Sequence, residues 1–251
     1  TGIGGGYSNI DNLIGGSGVD TFTLNDGVVV AGAIDGGAGA DTLDLSAYTT
    51  NRNVVVTASG VNGFSGTEGS VAGGFADIDA VTAPASTVNG LQGENLPNVW
   101  TISGTNSGTL NTGGNILAFA ICNTLTGGSD VDSFALAGGT LSGALNGGVG
   151  NNSLTGDNVA NTWTLTALDS GTVNGVAGGF TNIGTLTGGS ANDSFTLSGG
   201  TLSGALDGGA GINTLTADNV ANTWNVTGPR AGTVTGIGGG YSNIDNLIGG
   251  S

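Results

Sequence analysis

The sequence predicts an all-β protein: a parallel β-solenoid, of β-helix or β-roll kind, with rungs of about 20 residues. Three observations predict it. Apolar and polar residues alternate in short runs, as in "NTWTLT" and "DSFTL". Gly, Asn, Asp and Ser separate those runs. The runs recur at fixed intervals along the chain.

The alternation is strand periodicity. In 161–166, Trp163 and Leu165 share one face, with Thr162, Thr164 and Thr166 on the other. In 192–209, Phe195, Leu197, Leu202 and Leu206 form the apolar set. β-Branched and aromatic residues suit a pleated, half-buried surface. The intervening Gly, Asn and Asp supply corners that need positive φ. No stretch carries a helical stripe.

The repeats come at two scales. Residues 1–17, "TGIGGGYSNIDNLIGGS", are identical to residues 235–251, an offset of 234. Residues 127–187 and 188–248 match at 38 of 61 positions. Residues 15–82 form a longer, diverged unit, and 83–126 a truncated one that keeps the tryptophan segment "LPNVWTIS". Residues 1–14 and 249–251 then belong to neighbouring units of a 234-residue higher-order repeat, and 1–251 reads as one continuous solenoid. Gly-Gly pairs at 127, 147, 188 and 208 divide each unit further, giving three segments of about 20 residues, each read as one rung. Twelve such rungs at ~4.8 Å give a rise of about 55–60 Å per long period. A single rung cannot bury its inward side chains, but stacked rungs bury a continuous core. Phe134/Phe195, Trp163/Trp224 and Phe180/Tyr241 keep their places at the 61-residue offset and are expected to be inward plugs, with Tyr7 the counterpart of Tyr241. An aromatic platform for sugars is the competing reading.

Composition removes several function classes. The 251 residues include 54 Gly but 3 Pro, without the Gly-every-third pattern of collagen. Arg52 and Arg230 are the only cations, and the net charge is -16. Two Arg cannot form a surface for nucleic acid or for an anionic membrane. No apolar run approaches the ~20 residues of a spanning helix. The patterned apolar residues argue against disorder. Cys122, in "ILAFAIC", reads as a small buried hydrophobe.

One motif carries chemistry. "GGSGVDTFT" (15–23) and "GGAGADTLD" (36–44) fit G-G-x-G-x-D-x-U-x, with U a large apolar residue. This pattern resembles the calcium-binding nonapeptide of the repeats-in-toxin family. The resemblance implies a parallel β-roll with Ca²⁺ between coils. Its ligands would be the carboxylates of Asp20 and Asp41 and carbonyls near Gly16, Gly18, Gly37 and Gly39. "GGSDVDSFA" and "GGSANDSFT" keep Asp132 and Asp193 but lose the third Gly. "GGVGNNSLT" and "GGAGINTLT" put Asn152 and Asn213 where the family has Asp. Calcium could be shared by Asp20 and Asp41, with Asp132/Asn152 and Asp193/Asn213 as weaker versions. Alternatively, all are tight corners whose Asp and Asn hydrogen-bond the turn and stack in polar ladders.

The tandem architecture resembles bacterial giant repeat proteins of adhesin and repeats-in-toxin type. It implies a secreted, cell-surface or extracellular structural protein: a fibre, adhesin stalk or biofilm matrix filament. Its partners would be copies of itself, joined covalently or stacked end to end, with glycan or cell-surface binding left to other regions. Catalysis is not expected. The chain has no Lys or His and a lone apolar Cys, so the usual bases and nucleophiles are missing. An ice-binding array is the alternative, on outward Thr23, Thr101, Thr164 and Thr196, broken at Asp44, Ala135 and Asn225. A polysaccharide-active β-helix is less favoured.

Overall fold

The computed structural model describes residues 10–85 and 88–250, so Tyr7 lies outside the described residues. The fold is all-β. Its strands form one 14-stranded and one 13-stranded sheet. No described helix is long and apolar enough to cross a membrane.

The short runs pair in parallel at the spacing of the Gly-Gly corners. Leu13 lies beside Ile34, Phe22 beside Leu43, Leu125 beside Leu145, Phe134 beside Leu154, and Phe195 beside Leu215. In the interior runs the central apolar residue is buried and its neighbours are more exposed, as in Thr214–Thr216. The inward residues of both sheets belong to one hydrophobic cluster.

The expectation of uniform parallel rungs needs one correction. The tryptophan segment and the residues after it do not form a simple rung. Thr162–Ala167, Ser170–Val173 and Val176–Thr181 make an antiparallel three-stranded meander within one sheet. The same meander is built by Asn53–Gly60, Gly63–Glu68 and Val71–Ile78. It recurs in Asn98–Gly104, Ser107–Thr112 and Asn115–Ala120, and in Trp224–Gly228, Ala231–Val234 and Ile237–Ser242. Parallel pairing resumes across the first three meanders, with Trp163 beside Phe195 and Leu145 beside Phe180. Successive meanders fall in alternate sheets.

The reason is local. Asn174-Gly175 sits between Val173 and Val176, with Gly175 at φ 92°. An Asn-Gly pair between alternating apolar residues is a strong two-residue hairpin signal. Thr235-Gly236 and Gly113-Gly114 serve the equivalent turns, and Gly236 and Gly114 are also at positive φ.

The aromatic residues are inward, as expected. Trp100, Trp163, Phe134, Phe195 and Phe180 are fully buried, and Tyr241 is 4% exposed. Trp100 stacks on Phe134 with centroids 5.6 Å apart, and Trp163 on Phe195 at 5.7 Å. Sealed rings offer no sugar platform. Trp224 is only partly buried, packing edge-on to Tyr241.

Candidate functional site

The predicted motif residues sit at the Gly-Gly corners between the sheets: Asp20, Asp41, Asp132 and Asn152 where the chain crosses from the 14-stranded to the 13-stranded sheet, Asp193 and Asn213 where it crosses back. Asp20 and Asp41 are on successive corners. The Asp20 N–H donates to Asp41 Oδ1 at 2.8 Å, and the Asp41 N–H donates to Asp79 Oδ2 at 2.8 Å. The other copies repeat the arrangement. Asn98 N–H donates to Asp132 Oδ1 and Asp132 N–H to Asn152 Oδ1, at 3.0 and 2.9 Å. Asn161 N–H donates to Asp193 Oδ1, Asp193 N–H to Asn213 Oδ1, and Asn213 N–H to Asp245 Oδ2, at 2.7 to 2.9 Å. These are polar ladders: each side-chain oxygen satisfies the backbone of the preceding corner. Asp41, Asp132, Asn152, Asp193 and Asn213 are all essentially buried, where an unmet N–H would be costly.

Sequence reasoning missed the ladders' other members, Asp79, Asn98, Asn161 and Asp245. The available signal was "DNVANTW", which repeats its Asn at 161 and 222. The structure also runs a ladder through Arg52 N–H, Asn89 and Asn123, where no nonapeptide is present.

The corners come in two kinds. In the first kind, Asp20, Asp132 and Asp193 turn Oδ2 back onto their own loop. There it accepts the N–H of Gly16, Gly128 and Gly189, at 2.9, 2.7 and 2.9 Å. In the second kind, Asn152 and Asn213 use Oδ1 for the ladder and aim Nδ2 at carbonyl oxygens. Asn152 Nδ2 donates to Asn182 O at 3.0 Å, and Asn213 Nδ2 to Asn243 O at 3.0 Å. Asp41 occupies the second kind of corner with no proton to donate. Its Oδ2 is buried and without a hydrogen-bond partner. A Cβ on Gly36 would meet Asp77 O at 1.9 Å and Asp41 Oδ2 at 2.8 Å, so both oxygens close on one point. Where two copies place an amide against a carbonyl, the first places two acceptors together.

Oxygen-only donors of this kind are the sort that hard divalent ions take. At Asp132, Asp193, Asn152 and Asn213 both side-chain polar atoms already make hydrogen bonds. Gly37 and Gly39, at φ 88° and 138°, bring the backbone down onto the Gly16 and Gly18 carbonyls. The Gly16 carbonyl also accepts the Ala38 N–H at 2.8 Å. Among the described residues, no group of three or more acidic, Cys or His side chains is arranged to hold a metal. A cation at Asp41 would therefore rely on backbone carbonyls.

Electrostatics single out the same region. Burial, reinforced by Asp35, pushes the Asp77 carboxyl above the usual range. In the equivalent pairs of the later units amides replace both acids in one and a single acid in the other. Asn182 Nδ2 donates to Asn146 Oδ1 at 2.8 Å, and Asn243 Nδ2 to Asp207 Oδ1 at 2.7 Å. Burial also raises Asp132, opposed by hydrogen bonds from Asn98 and Gly128.

Both Arg are engaged in ion pairs, Arg52 with Glu68 at 3.4 Å and Arg230 with Asp245 at 2.8 Å. Cys122 is buried, and its thiol is pushed up to about 12. A groove of about 540 Å³ beside Thr140, Thr162, Thr164, Thr172 and Asn174 is lined by no titratable side chain.

No family model and no curated protein matches this chain.

Proposed function

We propose that the chain is a segment of a long extracellular structural fibre, an adhesin stalk or matrix filament, folded as a β-solenoid with antiparallel meanders and exported by a bacterium. One observation carries this reading. The first strand of the 14-stranded sheet, Leu13–Gly16, and its last, Asn246–Ile248, fall on the same letters 234 residues apart. Counting that strand once leaves thirteen per period, equal to the thirteen of the other sheet. The fold is thus in phase with the sequence period, and a chain of many periods can continue both sheets without a break. Thirteen strand spacings of ~4.8 Å make each period about 62 Å long.

The rest of the molecule supports a structural role over a catalytic one. Its buried acids stabilise corners and its two cations are paired. Calcium, abundant outside cells, would bind at Asp41 Oδ2 with neighbouring carbonyls and relieve its approach to the Asp77 carbonyl. The resemblance to repeats-in-toxin nonapeptides points to the same ion.

Immunogold labelling of intact native cells and their matrix tests the location. Label along filaments at or beyond the surface is expected, and label confined to the cell interior contradicts the reading.

A second reading has one observation in its favour. Thr164, Thr196 and Thr216 are register partners on adjacent strands, flanked by Thr162, Ser194 and Thr214. Such ranks of outward hydroxyls could order water on ice. The ranks are short, and ending at Ala135 and Asp44 elsewhere weakens them. Thermal hysteresis in solutions of the chain would favour this reading.

A further inference from the structure

We infer that Arg230 is a built-in cation: its guanidinium fills an oxygen-lined cradle at the Asn213 corner, a cation site that the chain occupies for itself. That cradle is the counterpart of the open corner at Asp41. The comparison with Asp41 rests on the calcium reading above, whereas the assignment of Arg230 stands without it.

Three oxygens form the cradle. Arg230 Nη2 lies 3.0 Å from Gly211 O, 3.1 Å from Asn243 O and 2.8 Å from Asp245 Oδ2. One guanidinium Nη2 has two N–H groups, so it cannot serve three acceptors singly. The arrangement suits a centre of positive charge held by two carbonyl dipoles and a carboxylate. Asp245 is fixed independently of Arg230, because its Oδ2 also accepts the Asn213 N–H at 2.8 Å.

The backbone does not favour arginine at this position. Arg230 is the tip of the hairpin between Trp224–Gly228 and Ala231–Val234, at φ 61°. Asn106 and Asp169 are the tips of the two preceding meanders, at φ 53° and 51°. Those residue types tolerate left-handed backbone better. Their Oδ1 atoms accept the N–H of Ser142 and of Ser203, each at 2.7 Å. Arginine has no acceptor to offer there. What it brings is reach and charge, in a sequence with only two cations.

The other units show what the charge answers. At the 61-residue offset the pair Arg230 and Asp245 becomes Asp169 and Gly184, so cation and carboxylate are lost together. In the first unit the carboxylate is kept. Asp79 Oδ2 accepts the Asp41 N–H at 2.8 Å, as Asp245 does for Asn213. Asp77 O faces Gly36 as Asn243 O faces Gly208. Gly39 aligns with Gly211. The chain's other cation is committed elsewhere: Arg52 lies over the Tyr48 ring, 4.1 Å from its centroid, and pairs with Glu68. Asp41 Oδ2 meanwhile is buried without a partner. The place of Arg230 Nη2 therefore marks where a cation from solution sits at Asp41, and it adds Asp79 to the groups that hold it. Equivalent corners are closed in two ways, one by the chain and one by solution.

Thermal denaturation and calcium dialysis of the full chain, R230G and R230G/N213D test this. Arg230→Gly relieves the positive φ, so an idle guanidinium predicts a higher melting temperature than the parent's. The cradle predicts a lower one. The side chains of Arg230 and Asp245 are 39% and 27% exposed, so a small cation can enter the vacated cradle. Millimolar methylguanidinium should restore at least half of the loss in R230G and leave the parent unmoved. An R230G chain that melts at or above the parent, or that methylguanidinium does not restore, overturns the built-in cation. R230G/N213D gives the last corner the acids of the first, and should bind one more calcium than the parent. If it folds poorly in EGTA, calcium should restore its circular dichroism. A parent that binds calcium beside an R230G/N213D chain that neither gains an ion nor is restored by it overturns the equivalence of the corners. If neither chain binds calcium while methylguanidinium restores R230G, the calcium reading falls and the built-in cation stands.

Discussion

The indole of Trp163 lies flat on the ring of Phe195, centroids 5.7 Å apart and planes 12° apart, although 32 residues separate them. The pair fixes the point where parallel stacking resumes after a meander. Both rings are fully buried. Trp163→Ala should therefore cost about 3–5 kcal/mol, read as a lower midpoint in chemical denaturation. The matching change at the half-covered Trp224 should cost clearly less in a monomeric chain.

Asp41 makes the calcium reading testable. Asp41→Asn supplies the amide that Asn152 and Asn213 use. In EGTA it should stabilise the chain by about 1–3 kcal/mol, by removing an unsatisfied buried acceptor. Calcium should raise the melting temperature of the parent chain and leave D41N unmoved. A parent chain indifferent to calcium, with none bound by elemental analysis, would exclude the ion.

Asp77 should set a pH dependence. Its folded carboxyl titrates above the ordinary value of 3.8, so the folded state holds a proton that the unfolded chain releases. That contribution is complete below the unfolded value and is lost as pH rises through the folded one. Thermal stability should increase as pH falls from neutral toward about 4. Asp77→Asn should flatten this slope and raise stability at pH 7, because Asn182 and Asn243 show an amide accepted at the same positive φ. Asp132 titrates in the same direction and preserves part of the slope.

Cys122 should be inert. Burial seals it and pushes its thiol up to about 12, so little thiolate forms at neutral pH. Alkylation by iodoacetamide should be far slower in the native chain than after unfolding, with no effect of reductant on melting.

Much of this was legible in the sequence. Period-two runs gave the strands, and the 61-residue offset found Trp163, Phe195 and Phe180 as core. The spacing of the Gly-Gly pairs gave the parallel register of Phe195 with Leu215. The meander was not read, because alternation is the same in parallel and antiparallel strands. Its signal was the turn itself, Asn174-Gly175, rather than the runs beside it. The rung count moved from twelve to thirteen strands per sheet for the same reason. At the corners, the motif located Asp20 and Asp41 but not their unlike surroundings. Whether Oδ2 meets the Gly16 N–H or the Asp77 carbonyl depends on a strand about forty residues away, "AGGFADID".

The most direct test of the central claim compares scattering from this chain with that from a chain of two 234-residue periods. Thirteen strand spacings per sheet predict a rod of unchanged cross-section lengthened by about 62 Å. A two-period chain that instead thickens, or folds back into two separate bodies with no such increment, contradicts the account.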